Sequence, residues 1–367
     1  MTAEPGAVLT VDLAAVAANW RDLRARHAPR EAMLGAVAAV VKADAYGLGA
    51  AAVAPALAAA GCRHFFVATL DEALALRPRL PDAFLAVLGG LWPGTEAAFL
   101  AADLTPVLND LAEIDRWTGA ARAAGRALPA LLHVDTGMAR LGLDAASVAV
   151  LRDDPARLAG IALRYVMTHL VSSEIADDPL NAAQAARFAA ACVALPAAPR
   201  SFANSSGMFL GGAFVSDLAR PGAALWGINP MPGHANPMRP VVRLQARVLA
   251  VRDLPAGGTV GYNASFTAAR PSRIATAAIG YADGWRRTLS NRGSARFDGA
   301  PVPLVGRVSM DLTTFDATDH PALRPGAWLD LIGPGQDVDD VAAAAGTNGY
   351  EILTALGPRI ARRYLPA

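Results

Sequence analysis

Little in this sequence is in excess. Its 33 basic and 32 acidic side chains leave a net charge of +1, so it lacks the cationic surplus with which proteins hold a nucleic-acid backbone. It has two cysteines, Cys62 and Cys192, too few and too far apart for a disulfide framework or a metal-ligand spacing, and both read as ordinary buried thiols. No apolar run reaches the roughly 18 residues that a membrane helix needs. No cationic stretch opens the chain, where Glu4 and Asp12 lie instead. These absences predict a cytoplasmic protein without a nucleic-acid or membrane partner.

What is present is burial capacity. Hydrophobic residues make up 53% and charged residues 18% of 367, enough for a large core and far from the composition of a disordered chain. The length suits two domains or one barrel with an appendage. Behind Asp12, a suitable N-cap, Leu13, Val16, Trp20 and Leu23 recur at helical intervals. Eight apolar segments then alternate with alanine-rich helical stretches, near 36–44, 64–70, 84–90, 104–110, 130–137, 161–170, 201–207 and 217–227. Strands without in/out alternation are buried on both faces, and helical crossovers make them parallel. Eight such units over residues 1–237 predict a TIM barrel. From 238 to 367 the texture changes to alternating segments with Gly, Pro and Asp turns, which predicts a mostly antiparallel β domain with a helical tail from about Val338 to Tyr364.

Barrel chemistry sits at the C-terminal ends of the strands, which picks out Lys42, Asp135, Arg140, His169, Asn204, Ser205, Arg220 and Gly222. A lysine ending an apolar strand loses water, which favours the neutral amine that Schiff-base chemistry requires, although an isolated lysine more often packs its stem and leaves its ammonium in water. Ser205-Ser206-Gly207 and Pro221-Gly222-Ala223 follow strands seven and eight, where barrels bind phosphate through backbone amides. Either alone is a common turn. A phosphate site facing a strand-end lysine suggests pyridoxal phosphate.

The ordered series VVKADAYGLG, HVDTGMARLG, THL, ANSSG, LARPGAALWGINP, VGYNASFT, IGYADG and VGRVSMD, from Val40 to Asp311, resembles the motifs of the bacterial alanine racemases. The resemblance implies a pyridoxal-phosphate-binding barrel followed by a β domain that completes the site of the other subunit in a head-to-tail homodimer. It implies interconversion of L- and D-alanine, with D-alanine going to peptidoglycan. Position by position, Lys42 matches the lysine that bonds to the cofactor, and Tyr46, Ser205, Gly222 and Ala223 match its phosphate contacts. Asn204 and His169 fall among the cofactor-side residues. Arg220 matches the arginine facing the pyridine nitrogen; a guanidinium gives up no proton readily, which restrains side reactions. Lys42 and Tyr262 match the two acid/base groups on opposite faces of Cα, with Arg140 and His169 near the tyrosine. Met310 and Asp311 match the segment approaching the substrate carboxylate, and Tyr281 a tyrosine narrowing the entry.

Three positions depart from the pattern. Leu48 replaces a histidine, His133 replaces a lysine that becomes carbamylated in many members, and Pro358 falls where some members have a further phosphate-binding tyrosine, for which Tyr364 is a weak substitute. His133 forms no carbamate, so another anion such as chloride is expected beside Arg140. A racemase of serine or other small amino acids, a decarboxylase on the same plan and a non-catalytic cofactor carrier are the rival readings. The racemase tyrosine motif disfavours the decarboxylase, and the second domain disfavours the carrier.

Overall fold

The computed structural model describes residues 5–27 and 36–366, so Glu4 lies outside it. Strand β1 (Ala7–Asp12) leads directly into the helix Leu13–His27. Asp12 caps that helix, its Oδ1 accepting the Ala15 amide at 2.9 Å, and Val16, Trp20 and Leu23 are buried on one face. The Trp20 indole donates to the Val37 carbonyl at 3.1 Å, which fixes the helix against the barrel wall.

The barrel strands are β2 (Ala36–Val37), β3 (Ala39–Val40), β4 (His64–Val67), β5 (Phe84–Val87), β6 (Thr105–Leu108), β7 (Leu128–His133), β8 (Ile161–Met167), β9 (Arg200–Ser201) and β10 (Leu218–Ala219). Every neighbouring pair is parallel, in the order β2-β10-β9-β8-β7-β6-β5-β4-β3. Only Ala38 parts β2 from β3, and its amide donates to the Ala219 carbonyl at 2.9 Å, so the ring closes as eight strands. All eight expected segments contain a strand. The last two are two residues long because Pro221 offers no N–H and the Asn204 carbonyl and side chain turn the chain after Ala203. Val40, Phe66, Val107, Leu131, Met167 and Leu218 fill the lumen. The outer helices Leu70–Leu76, Leu111–Ala124, Ala145–Asp153 and Pro179–Ala194 start on side-chain caps from Thr69, Asp110, Asp144 and Asp178.

Beyond the barrel run β11 (Val242–Leu254), β12 (Thr259–Val260), β13 (Phe266–Thr267), β14 (Ser272–Ala277), β15 (Ser294–Phe297), β16 (Ala300–Pro303), β17 (Thr313–Asp316), β18 (Trp328–Ile332) and β19 (Ala361–Leu365). β11 is the spine, antiparallel to β1, β14 and β18. Its first residues alternate buried Val242, Leu244, Ala246 and Val248 with outward neighbours. The chain therefore begins in this second sheet before it enters the barrel: β1 lies between β11 and β19, and its pairing with β19 is parallel. The tail differs from the expected helix. Helices Val338–Ala345 and Gly349–Ala355 are followed by β19, whose ARRYL composition hides a strand that only its pairing to β1 reveals. Cys62 is buried, its thiol pushed up to about 12 by burial, whereas Cys192 is half-exposed on an outer helix rather than buried. Among the described residues no helix is long and apolar enough to cross a membrane.

Leu9 is fully buried in β1. Leu9→Ala should lower unfolding stability by about 2–5 kcal/mol, read as a lower denaturant midpoint at unchanged slope. An unchanged midpoint would show that β1 contributes nothing to the second sheet.

Candidate active site

At the end of β3 the backbone does something unusual for residues with a Cβ. Ala43, Asp44, Ala45 and Tyr46 have φ of 52°, 52°, 54° and 58°, a full left-handed turn without glycine, at roughly 1–2 kcal/mol per residue. Three side chains hold it. Glu72 Oε1 accepts the Ala43 amide at 2.6 Å, Asp44 Oδ1 accepts the Ala50 amide at 2.7 Å, and Arg362 of β19 donates twice to the Gly47 carbonyl, at 3.0 and 3.2 Å. Hydrogen bonds to charged groups contribute roughly 1.5–3 kcal/mol each, enough together to offset the strain. The turn places Lys42 and Tyr46 at the barrel mouth. Lys42 is the single lysine of the chain, against 32 arginines by difference from the 33 basic residues. Burial holds its ammonium below the ordinary lysine range, Arg140 adds to that, and Glu72 opposes it. Leu48 is fully buried in the core, so it takes no part in the mouth.

Tyr46 reaches across to the loop after β10. A Cβ on Gly222 would stand 2.3 Å from the Tyr46 hydroxyl, so only glycine allows that approach. Ser205 Oγ accepts the Gly222 and Ala224 amides at 3.0 and 3.1 Å, leaving its own proton to donate elsewhere. The amides of Ser205, Ser206 and Ala223 find no acceptor among the described residues. Two hydroxyls and three unused amides around one glycine fit a phosphate group. Asn204 faces its own loop: its Oδ1 accepts Ser173 Oγ and the Gly207 amide, both at 2.9 Å.

Pro358 brings no hydroxyl to this cradle. Pro358 is an exposed turn residue, and Tyr364 packs its hydroxyl over Gly49. Tyr350, which sequence reasoning missed, starts the helix that lies on the left-handed turn. Its phenol is held up first by burial, then by the Glu174 carboxylate at 2.5 Å, and feels Tyr46 beside it. The signal was in Asn348-Gly349-Tyr350-Glu351, where Asn348 caps the helix that presents Tyr350.

Arg220 is buried and donates to Ser201 Oγ and the Thr168 carbonyl, both at 2.6 Å. It has no carboxylate partner among the described residues. Burial draws it down to about 10, so it remains a cation at neutral pH. His169 is driven to about 3, by burial first and then by Arg220, Arg140, Lys42 and His133. His133 is lowered to about 4 by burial and the Arg220 charge. Asn109 Nδ2 donates to the Val107 carbonyl at 2.9 Å, so its Oδ1 faces His133 Nδ1 at 2.8 Å, and that nitrogen carries the proton. Asp135, whose charge acts on His133, is occupied by the amides of Gly137, Met138 and Ala139. Those bonds shape the loop that brings Arg140, exposed, to the rim. Three cations and two neutral imidazoles thus share one mouth, a setting made for anionic groups.

The remaining candidates lie in loops between strands of the second domain. Tyr262, Tyr281 and Met310 are 66%, 43% and 53% exposed. The Tyr281 and Ala282 amides donate to the Ser309 and Met310 carbonyls at 2.9 Å, and the backbone before Tyr262 packs on Gly306 and Arg307. Asp311 pairs with Arg359 at 2.8 Å, which also holds Asp283. No hydrogen bond or ion pair joins these four residues to Lys42.

Residues 11–230 match the model of the alanine racemase N-terminal domain, and residues 241–364 match that of the C-terminal domain. The chain belongs to the alanine racemase family. The alanine racemase of Acidiphilium cryptum (strain JF-5) is 59% identical over 96% of this chain and 97% of its own, and that of Rhodospirillum rubrum is 52% identical over 98% and 96%. The crystal structure of alanine racemase from Bartonella henselae, with covalently bound pyridoxal phosphate, superposes with a TM-score of 0.94 at 42% identity, covering 99% of this chain and all of that one. The biosynthetic alanine racemase of Pseudomonas aeruginosa gives 0.89 at 34% identity, covering 99% of this chain and all of that one. Alanine racemases depend on pyridoxal 5′-phosphate, and the unused amides, the glycine cradle and the uncompensated Arg220 here fit that cofactor.

Because His133 titrates near 4 when folded and near 6.5 when unfolded, the unfolded state binds more protons between those values. Stability of the cofactor-free protein should therefore fall as pH drops from 6.5 to 4. His133→Gln should reduce that slope by about 1.4 kcal/mol per pH unit, one proton's worth. Equal slopes in the two proteins would mean that His133 is charged in the fold.

Proposed function

We propose that this chain interconverts L- and D-alanine as a cytoplasmic homodimer and supplies D-alanine for peptidoglycan, with pyridoxal 5′-phosphate on Lys42. The observation that carries the reading is the placement of the only lysine, desolvated, opposite a phosphate cradle and beside a buried, unpaired arginine. The cofactor, when bound, supplies the electron sink that makes the substrate Cα–H acidic.

The chain supplies placement and protons. Tyr46, Ser205 and the free amides of Ser206 and Ala223 hold the phosphate, with Gly222 leaving room. Arg220, fixed by Ser201 and Thr168, would face the ring nitrogen without yielding its proton, and neutral His169 would lie among the cofactor-side residues. The Lys42 amine takes or returns the Cα proton on one face, which its lowered affinity for a proton favours. Tyr262 from a second copy does the same on the opposite face, with Arg140 beside its hydroxyl. Met310 and Asp311 of that copy approach the substrate carboxylate, and Tyr281 narrows the entry to exclude large side chains.

Surface composition supports the dimer. Tyr262, Tyr281, Met310 and Leu312 leave apolar area on the second domain, and Leu141, Val171 and Ile175 do so on the barrel, surfaces that a head-to-tail pairing would cover.

With L-alanine in deuterated water, optical rotation should decay as deuterium enters Cα. Exchange without loss of rotation would sink the racemase reading. Tyr262→Phe should slow proton removal from one enantiomer far more than from the other, by on the order of a hundredfold or more for a lost acid/base group. Equal, full rates in both directions would contradict the two-base assignment.

A further inference from the structure

Glu72 has two tasks that belong to different parts of the fold. With Thr69 it forms a capping box at the start of the helix Leu70–Leu76: Oε2 accepts the Ala68 and Thr69 amides at 2.7 and 3.3 Å, and the Glu72 amide donates to Thr69 Oγ1 at 3.3 Å. That box occupies one oxygen. The other, Oε1, leaves the helix and accepts the Ala43 amide at 2.6 Å, 29 residues back in sequence. Ala43 is the first residue of the left-handed turn and the direct neighbour of Lys42.

A backbone held in the left-handed region relaxes unless its surroundings over-determine it. Asp44 and Arg362 grip the middle and far end of the turn, and Glu72 alone grips the end that carries Lys42. The same carboxylate also acts on the amine by charge. The charged and titratable groups acting on Lys42 are Glu72, Arg140 and His169, and Glu72 is the one anion among them. We propose that Glu72 is the positioning residue for Lys42, pinning the head of the left-handed turn with the one oxygen that its capping box leaves free. The proposal rests on Lys42 being the cofactor lysine.

The single lysine makes the test direct. The full-length cofactor-free protein is treated with acetic anhydride across a pH series, and acetylation of Lys42 is followed by peptide mass. In Glu72→Gln, which keeps size but removes charge, the pH midpoint of acetylation should move below that of the parent, because the anion favouring the ammonium is gone. Cofactor release from the holoenzyme in dialysis should quicken several-fold. Thr69→Ala breaks the capping box but spares the bond to Ala43, and should move neither. An unshifted midpoint in Glu72→Gln, or an equal shift in Thr69→Ala, overturns the proposal. Should Glu72→Gln fail to fold, Glu72→Asp, which keeps the cap charge but withdraws the reach to Ala43, should still quicken release, and unchanged release overturns the proposal. Covalent cofactor retained by Lys42→Arg would instead overturn the reading of the site.

Discussion

The structure depends on one constraint, that a single primary amine be held partly out of water at a fixed point of the barrel mouth. A flexible four-carbon stem cannot achieve this by itself. The chain achieves it by following β3 with a left-handed turn of residues that all carry a Cβ, a conformation none of them favours, and by binding that turn from three directions. One of those bonds comes from Arg362 in β19, so the second sheet helps set the position of Lys42 in the first domain. The pairing of β1 with both β11 and β19 closes the same loop of dependence, since the chain cannot enter the barrel without first joining the second sheet.

Charge follows from the same requirement. Arg220 is buried on neutral acceptors alone, and His133 and His169 are kept neutral by burial beside cations. A ligand that brings a phosphate and a carboxylate completes the balance that the protein leaves open. His133 illustrates how a departure from a family pattern can be absorbed. With its Nδ1 proton committed to Asn109, it presents an uncharged Nε2 rather than an anion, and Glu113, whose Oε2 accepts the backbone N–H of Asn109 at 2.7 Å, stands behind that arrangement.

Much of this was legible in the sequence, for identifiable reasons. The barrel strands are doubly buried apolar runs, and the residues after them are the ones that gather at the mouth. β1 and β19 escaped because their identity as strands comes from pairing with partners more than two hundred residues away in sequence, not from local pattern. Tyr350 escaped because a tyrosine was sought at Pro358, although the cap at Asn348 marks the helix that carries it. The left-handed turn has no sequence signature, since Ala-Asp-Ala-Tyr carries none of the glycine that positive φ usually selects. The plainest clue was one of count: with arginine at every other basic position, the one lysine that remains is where an amine is needed.

Lys42 as the point of cofactor attachment is the centre of this account. Borohydride reduction of the active holoenzyme followed by tryptic digestion and mass mapping tests it most directly. The peptide spanning residues 31–63, left uncleaved at a modified Lys42, should carry the reduced cofactor, and no other peptide should. Recovery instead of the peptides 31–42 and 43–63, cleaved at an unmodified Lys42, after reduction of enzyme that was fully active beforehand would contradict it.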